Sequence, residues 1–147
     1  MGSKPHYYLD MATAWKDTEK EFESAFASKG KGAFVHRLTD TAAAKATSGK
    51  RAFVAKQPSD YIVTDNGFTF YAEVKSSHDE VSFPHSNIQQ FQMASARRIT
   101  KAGGTYVFFI KNLLTGQWYC VPAEIIIAAD KKSTRWADIE SYKWTLQ

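Results

Sequence analysis

The feature that most constrains this chain is Asn66-Gly67, set between Tyr61-Ile62-Val63-Thr64-Asp65 and Phe68-Thr69-Phe70-Tyr71-Ala72. Asn-Gly between β-branched and aromatic runs selects a two-residue hairpin turn, because both central residues must take positive φ. Such a turn fixes the register. Asp65 then faces Phe68, Thr64 faces Thr69, and counting outward puts Asp60 directly across from Glu73. The period of two places Thr69, Tyr71, Glu73 and Lys75 on one face, and Phe68, Phe70, Ala72 and Val74 on the other. One face is expected to be core and the other to carry Asp60, Glu73 and Lys75.

Directly opposed side chains lie about 5 Å apart, where two carboxylates repel by roughly 3 kcal/mol at an effective dielectric of about 20. A shared divalent cation turns that repulsion into attraction. Oxygen-only ligands suit Mg²⁺, with Mn²⁺ as the substitute. Lys75 is then placed to orient or deprotonate a water, or to offset charge on a phosphate. The competing reading is a solvated face on which Glu73 and Lys75 neutralise each other, but it gives no reason for an acid at Asp60, behind Pro58.

The rest of the chain supplies the layers around this hairpin. From about Thr13 to Ser28, Trp15, Phe22, Ala25 and Phe26 recur at helical spacing, with Glu19 and Glu23 beside the apolar stripe. Ala33 to Leu38 reads as a strand. Asp40 to Lys56 is a long Ala-, Thr-, Ser- and Gly-rich connection carrying Lys45, Lys50, Arg51 and Lys56. After the hairpin, a helix is expected from His85 to Lys101 with Ile88, Phe91, Ala94 and Ile99 inward, stopped by Gly103-Gly104. Strands follow over Thr105 to Ile110 and Trp118 to Val121, and then a short helix from Pro122 to Ala129. The segment 131–147, with Trp136 and Trp144, could pack on the core or on a second subunit. This order predicts an α/β, three-layer sandwich with a central mixed β-sheet flanked by helices.

A single domain suits 147 residues, with 1–12 as a lead-in, and 44% hydrophobic residues can fill a core. The formal charge of +4 is compatible with nucleic acid without requiring it. Cys120 is the one cysteine, which rules out a disulfide framework and suits a reducing compartment. No apolar run reaches transmembrane length and no secretory leader pattern is present, so a soluble cytoplasmic protein without membrane partners is expected.

Pro58-Ser59-Asp60 followed by Glu73-Val74-Lys75 resembles the active-site signature of the PD-(D/E)XK nucleases. Three further pieces in the same order resemble the branch of RecU-type Holliday-junction resolvases and their phage relatives. They are Lys20-Glu21-Phe22-Glu23-Ser24-Ala25-Phe26, Val35-His36-Arg37-Leu38-Thr39-Asp40, and Ser82-Phe83-Pro84 leading through Asn87 to Gln92. The core signature is short and degenerate; the ordered set is more specific. The resemblance implies a restriction-endonuclease-like core and a Mg²⁺-dependent endodeoxyribonuclease that cuts four-way DNA junctions as a homodimer, in a bacterial or phage-infected cell. It implies a metal held by Asp60, Glu73, the Val74 carbonyl and Glu23, with Lys75 at the nucleophile and Gln92 in support. Glu19 is the alternative to Glu23, and Arg37 would face a DNA phosphate.

In RecU-type resolvases a projecting stalk stands where this chain has the shorter segment 40–56, so Lys45, Lys50, Arg51 and Lys56 are expected to form a basic DNA-binding loop. The two alternatives are a nuclease for linear or single-stranded DNA and a DNA-structure-binding module without chemistry. If the loop reaches a junction centre, Lys50→Ala/Arg51→Ala should weaken junction binding more than duplex binding. Each lost phosphate contact should reduce the slope of log K against log salt by about 0.9, measured over a salt series on both DNAs. Equal loss on both would make the loop a general phosphate clamp.

Overall fold

A computed structural model describes residues 7–39, 56–129 and 131–145. They form helix α1 (Tyr7–Ala27), strands β1 (Ala33–Arg37), β2 (Tyr61–Asp65), β3 (Phe68–Ser77) and β4 (Ser82–Pro84), and helix α2 (Gln90–Lys101). Strands β5 (Tyr106–Asn112) and β6 (Trp118–Pro122), helix α3 (Ala123–Ala128), and strands β7 (Ser133–Arg135) and β8 (Lys143–Trp144) follow. The main sheet has the order β1-β2-β3-β5-β6-β8, while β4 and β7 pair separately. Strands β3 and β5 run parallel and the other neighbours antiparallel, so the sheet is mixed.

The hairpin has the expected register. Asn66 and Gly67 take φ 49° and 87°, and Asp65 faces Phe68, Thr64 faces Thr69 and Tyr61 faces Ala72. One step further out, Asp60 stands beside Glu73.

Both faces of the sheet are covered, which gives the expected three-layer sandwich. On one face, Phe22 and Phe26 of α1 pack with Tyr61, Val63, Ala72, Val74, Val107 and Phe109. On the other, Ala96 of α2 and Ala123 and Ile126 of α3 pack with Tyr106, Phe108, Ile110, Tyr119 and Val121. The alternation along β5 serves both layers. This corrects the expectation that only one face of the hairpin is core. Glu73 stands level with Phe108 of β5, which stands level with Val121 of β6, so an apolar row continues from the acid and Glu73 is fully buried.

Three helical expectations are also corrected. Trp15 lies two turns before Phe22 on the same stripe, about 10 Å further along the axis, and remains half exposed. In α2 the inward face is Met93, Ala96 and Ile99, whereas Phe91 and Ala94 are exposed. Ile88 is buried but precedes the helix in extended backbone, so it sets no helical phase. Pro122 likewise precedes α3, at φ −55° and ψ 140°, as its N-cap rather than its first residue.

The C-terminal segment packs on this chain's own core. Trp136 stacks on Tyr119 at 5.4 Å between centroids, and Trp144 meets Phe109 edge-on at 4.9 Å and stacks on Phe26 at 5.6 Å. Helix α1 is tied to the sheet by Glu21, which accepts hydrogen bonds from Lys111 Nζ at 2.7 Å and Trp118 Nε1 at 3.1 Å. Burial pushes the Cys120 thiol up to about 11, as suits a structural rather than a reactive cysteine. No helix among the described residues is long and apolar enough to cross a membrane.

Because Gly67 holds φ 87° with open space around it, Gly67→Ala should cost about 1 kcal/mol through backbone strain alone. Thermal unfolding should show a drop of about 3 °C. An unchanged melting temperature would mean that the turn relaxes without cost.

Candidate active site

The residues around Asp60 are fixed by three hydrogen bonds. Leu38 N–H donates to the Asp60 carbonyl at 2.9 Å, continuing the β1-β2 ladder past its last pair. Ser59 Oγ, buried, donates to the Tyr61 carbonyl at 2.8 Å, and the Tyr106 hydroxyl donates to the Pro58 carbonyl at 2.7 Å. Asp60 Oδ2 in turn accepts the Val74 N–H at 2.9 Å, so the acid is held against the backbone of β3.

Glu73 is gripped from several sides. Gln92 Nε2 donates to Oε1 at 2.7 Å, Lys75 Nζ lies 3.6 Å from the same oxygen, and the Tyr106 hydroxyl lies 3.3 Å from Oε2. Gln92 is itself fixed, because its Oε1 accepts the Gln89 N–H at 3.1 Å in the capping box that starts α2. Burial pushes the Glu73 carboxyl up to about 9; the charge and hydrogen bond of Asp60 add to the rise, while Lys75 and Tyr106 oppose it. Burial therefore favours the protonated form of Glu73 even with Lys75 3.6 Å away.

A cavity of about 550 Å³ opens over Asp60, with the fully buried Glu73 behind its wall rather than in it. Asp60, Val74 and Lys75 line it from the hairpin, Trp15, Thr18 and Glu19 from α1, and Phe91 and Gln92 from α2. Lys56 lines it too, at the near end of the basic connection, whereas Lys45, Lys50 and Arg51 lie outside the described residues.

The two acids of α1 are separated by the structure. Glu19 lines the cavity; burial pushes its carboxyl up, Arg37 pulls it down, and the Asp60 charge adds to the rise. Glu23, which the resemblance assigns to the metal, lies one helical turn away beside a second cavity. Its Oε1 accepts the Tyr61 hydroxyl at 2.6 Å and Arg37 Nη1 at 3.4 Å. Arg37, expected to face a phosphate, spends its guanidinium on the two acids, with Nη2 2.7 Å from Glu19 Oε2. Glu23, its side chain 42% exposed, reaches Tyr61 at the second cavity, while Glu19, 13% exposed, lines the cavity that holds Asp60.

Tyr106 was not expected here. A polar-tipped aromatic at the start of an otherwise apolar strand is the signal that could have found it, since a buried tyrosine hydroxyl needs a partner. For Tyr61 the same signal was available; for Glu19 over Glu23, helical spacing alone held none.

The sequence matches no protein-family model and no curated protein. Among solved structures, the chain is similar to that of Hjc from Archaeoglobus fulgidus, a Holliday junction resolvase from an archaeal hyperthermophile. The TM-score is 0.55 at 12% sequence identity, over 84% of this chain and 90% of that one. The fold is shared with a Holliday junction resolvase. At that identity the likeness is one of architecture, and it agrees with the mixed sheet and flanking helices described above.

Among the described residues, no group of three or more His, Cys, Asp or Glu side chains could hold a metal ion. The pair Asp60 and Glu73 still fits a hard divalent cation. Mg²⁺ is commonly bound by one or two carboxylates, with water and substrate phosphate completing its shell. Burial raises the Glu73 carboxyl and Lys75, 3.6 Å from its Oε1, only partly opposes the rise.

The unfolded chain releases the Glu73 proton near 4.5 and the folded chain near 9, so the unfolded state binds fewer protons between these values and stability falls as pH rises through the window. In Glu73→Gln that slope should vanish. Denaturant unfolding in EDTA should show the variant more stable by a few kcal/mol at pH 8 and close to wild type at pH 4. Parallel pH profiles would mean that Glu73 is ionised in the fold.

Proposed function

We propose that the protein is a metal-dependent DNA endonuclease that cuts phosphodiester bonds by attack of water, with a four-way junction as its substrate. The observation that carries this reading is Asp60 and Lys75 on the wall of the cavity, with the buried Glu73 carboxyl next to both. The fold shared with Hjc supports the choice of a resolvase among DNases, as an analogy of architecture.

Asp60, Glu73 and the Val74 carbonyl would hold Mg²⁺ or Mn²⁺, with Glu19 in the place that the resemblance gives to Glu23. When bound, the ion lowers the pKa of a coordinated water and neutralises charge on the phosphate. Lys75 orients or deprotonates the attacking water and balances the phosphate. Gln92 keeps the Glu73 Oε1 in one position, and Tyr106 fixes Pro58 relative to the other oxygen, so that both acids are preorganised. Arg37 keeps Glu19 at the cavity wall by holding it from the side of Glu23. Cutting a four-way junction on opposing strands needs two such sites related by a two-fold axis, hence a homodimer.

The test is incubation with labelled four-way junction, linear duplex and single strand, each with Mg²⁺ or EDTA. Mg²⁺-dependent cutting of the junction is expected; cutting that survives EDTA would sink the metal mechanism, and binding without cutting would return the chain to a DNA-structure reader. Asp60→Asn, Glu73→Gln and Lys75→Ala should each abolish cleavage and leave DNA binding largely intact. Glu19→Gln should lose activity where Glu23→Gln keeps it. Independently of activity, Mg²⁺ should raise the melting temperature of the wild type and not of Asp60→Asn.

A further inference from the structure

Two exposed aromatic side chains stand at the mouth of the acid cavity, one from each helical layer. Trp15 of α1 is 51% exposed and Phe91 of α2 is 41% exposed, and both line the cavity that holds Asp60 and Lys75. The other exposed large hydrophobic side chains among the described residues, Phe34, Phe68, Val81 and Leu114, do not line it. Neither helix lacks residues for the core, since Phe22 and Phe26 of α1 and Met93 and Ala96 of α2 fill the inward faces. Rings of this size left in water lose the free energy of burial, and their position over the site calls for an occupant with flat apolar faces of its own.

Cations accompany the rings. Lys16 Nζ lies 5.4 Å from the centroid of the Trp15 ring, and Lys56 and Lys75 line the same cavity. Alternating positive charge and aromatic surface matches a nucleic-acid strand, whose phosphates and bases alternate. In a stacked duplex the flat faces of the bases are covered by their neighbours, so these rings could meet only edges and sugars. A strand with unpaired, unstacked bases presents the faces themselves.

We infer that the cavity takes a DNA strand with unpaired nucleotides, and that Trp15 and Phe91 stack on bases to either side of the phosphate held over Asp60 and Lys75. The inference rests on the DNA reading above and adds the state of the strand at the site. Trp15 and Phe91 act as specificity residues, selecting an opened strand over continuous duplex.

The experiment uses the full chain in EDTA, with a labelled oligothymidylate and a duplex of equal length. Trp15→Ala and Phe91→Ala should each bind the single strand about tenfold more weakly and the duplex within about twofold of wild type. Trp15→Phe, which keeps a ring, should retain most of the affinity. Trp118 and Trp136 are buried and Trp144 is partly buried, so oligothymidylate should quench the exposed Trp15 emission in wild type and much less in Trp15→Phe. Circular dichroism melts establish that each variant is folded. Equal losses on both DNAs, or wild-type affinity of both alanine variants, would overturn the inference. If the strand binds and quenches Trp15 but no DNA is cut with Mg²⁺, the nuclease reading falls and the stacking site stands. If the junction is cut while both alanine variants bind like wild type, the stacking site falls alone.

Discussion

The structure depends on the burial of one carboxyl group. Glu73 lies on a central strand at the start of an apolar row that runs through Phe108 to Val121, with the charge of Asp60 next to it. A sheet built for stability alone would place a hydrophobic residue there, because a buried charge is costly and a partner only partly removes the cost. The surrounding residues answer that cost: Gln92 at one oxygen, Tyr106 near the other, and Lys75 beside the pair. Each comes from a different part of the chain, so the acid acts as a point on which hairpin, helix α2 and strand β5 converge.

Rigidity around the site follows from where these contacts originate. The capping box of α2 holds Gln92, the start of β5 holds Tyr106, and the β1-β2 ladder continues through the Asp60 carbonyl. Side chains fixed by regular elements are more accurately placed than side chains on loops. Residues toward the cavity mouth, Trp15 and Phe91, have no comparable grip among the contacts described. The site is stiff at its floor and has freer side chains at its rim.

Much of this was legible in the sequence because it is local. Asn66-Gly67 sets the hairpin register, and register alone brings Asp60 to Glu73. What was not legible depends on partners distant along the chain. The depth of Glu73 comes from Phe108 and Val121, whose level with it is set by the pairing of β3 with β5 and β5 with β6. That Glu19 lines the Asp60 cavity and Glu23 a second one depends on the strands packed against α1, which helical spacing cannot report. The phase of α2 is not legible because Ile88, a buried residue in extended backbone just outside the helix, falls at a helical spacing from Phe91. The roles of Lys45, Lys50 and Arg51 lie outside the described residues and stand as proposals.

The aromatic cluster of Phe26, Phe109 and Trp144 also carries a consequence for the order in which the molecule forms. It joins the first helix, a middle strand and the last strand. Contacts of such long sequence separation require large loops to close before they return any stabilisation, which slows folding. A chain emerging from the ribosome would complete the hairpin and even β5 while Phe26 and Phe109 still lacked their indole cover. The acid pair could therefore be aligned before the layer behind it is sealed, and the nascent chain would pass through a stage in which an apolar surface is open to chaperones.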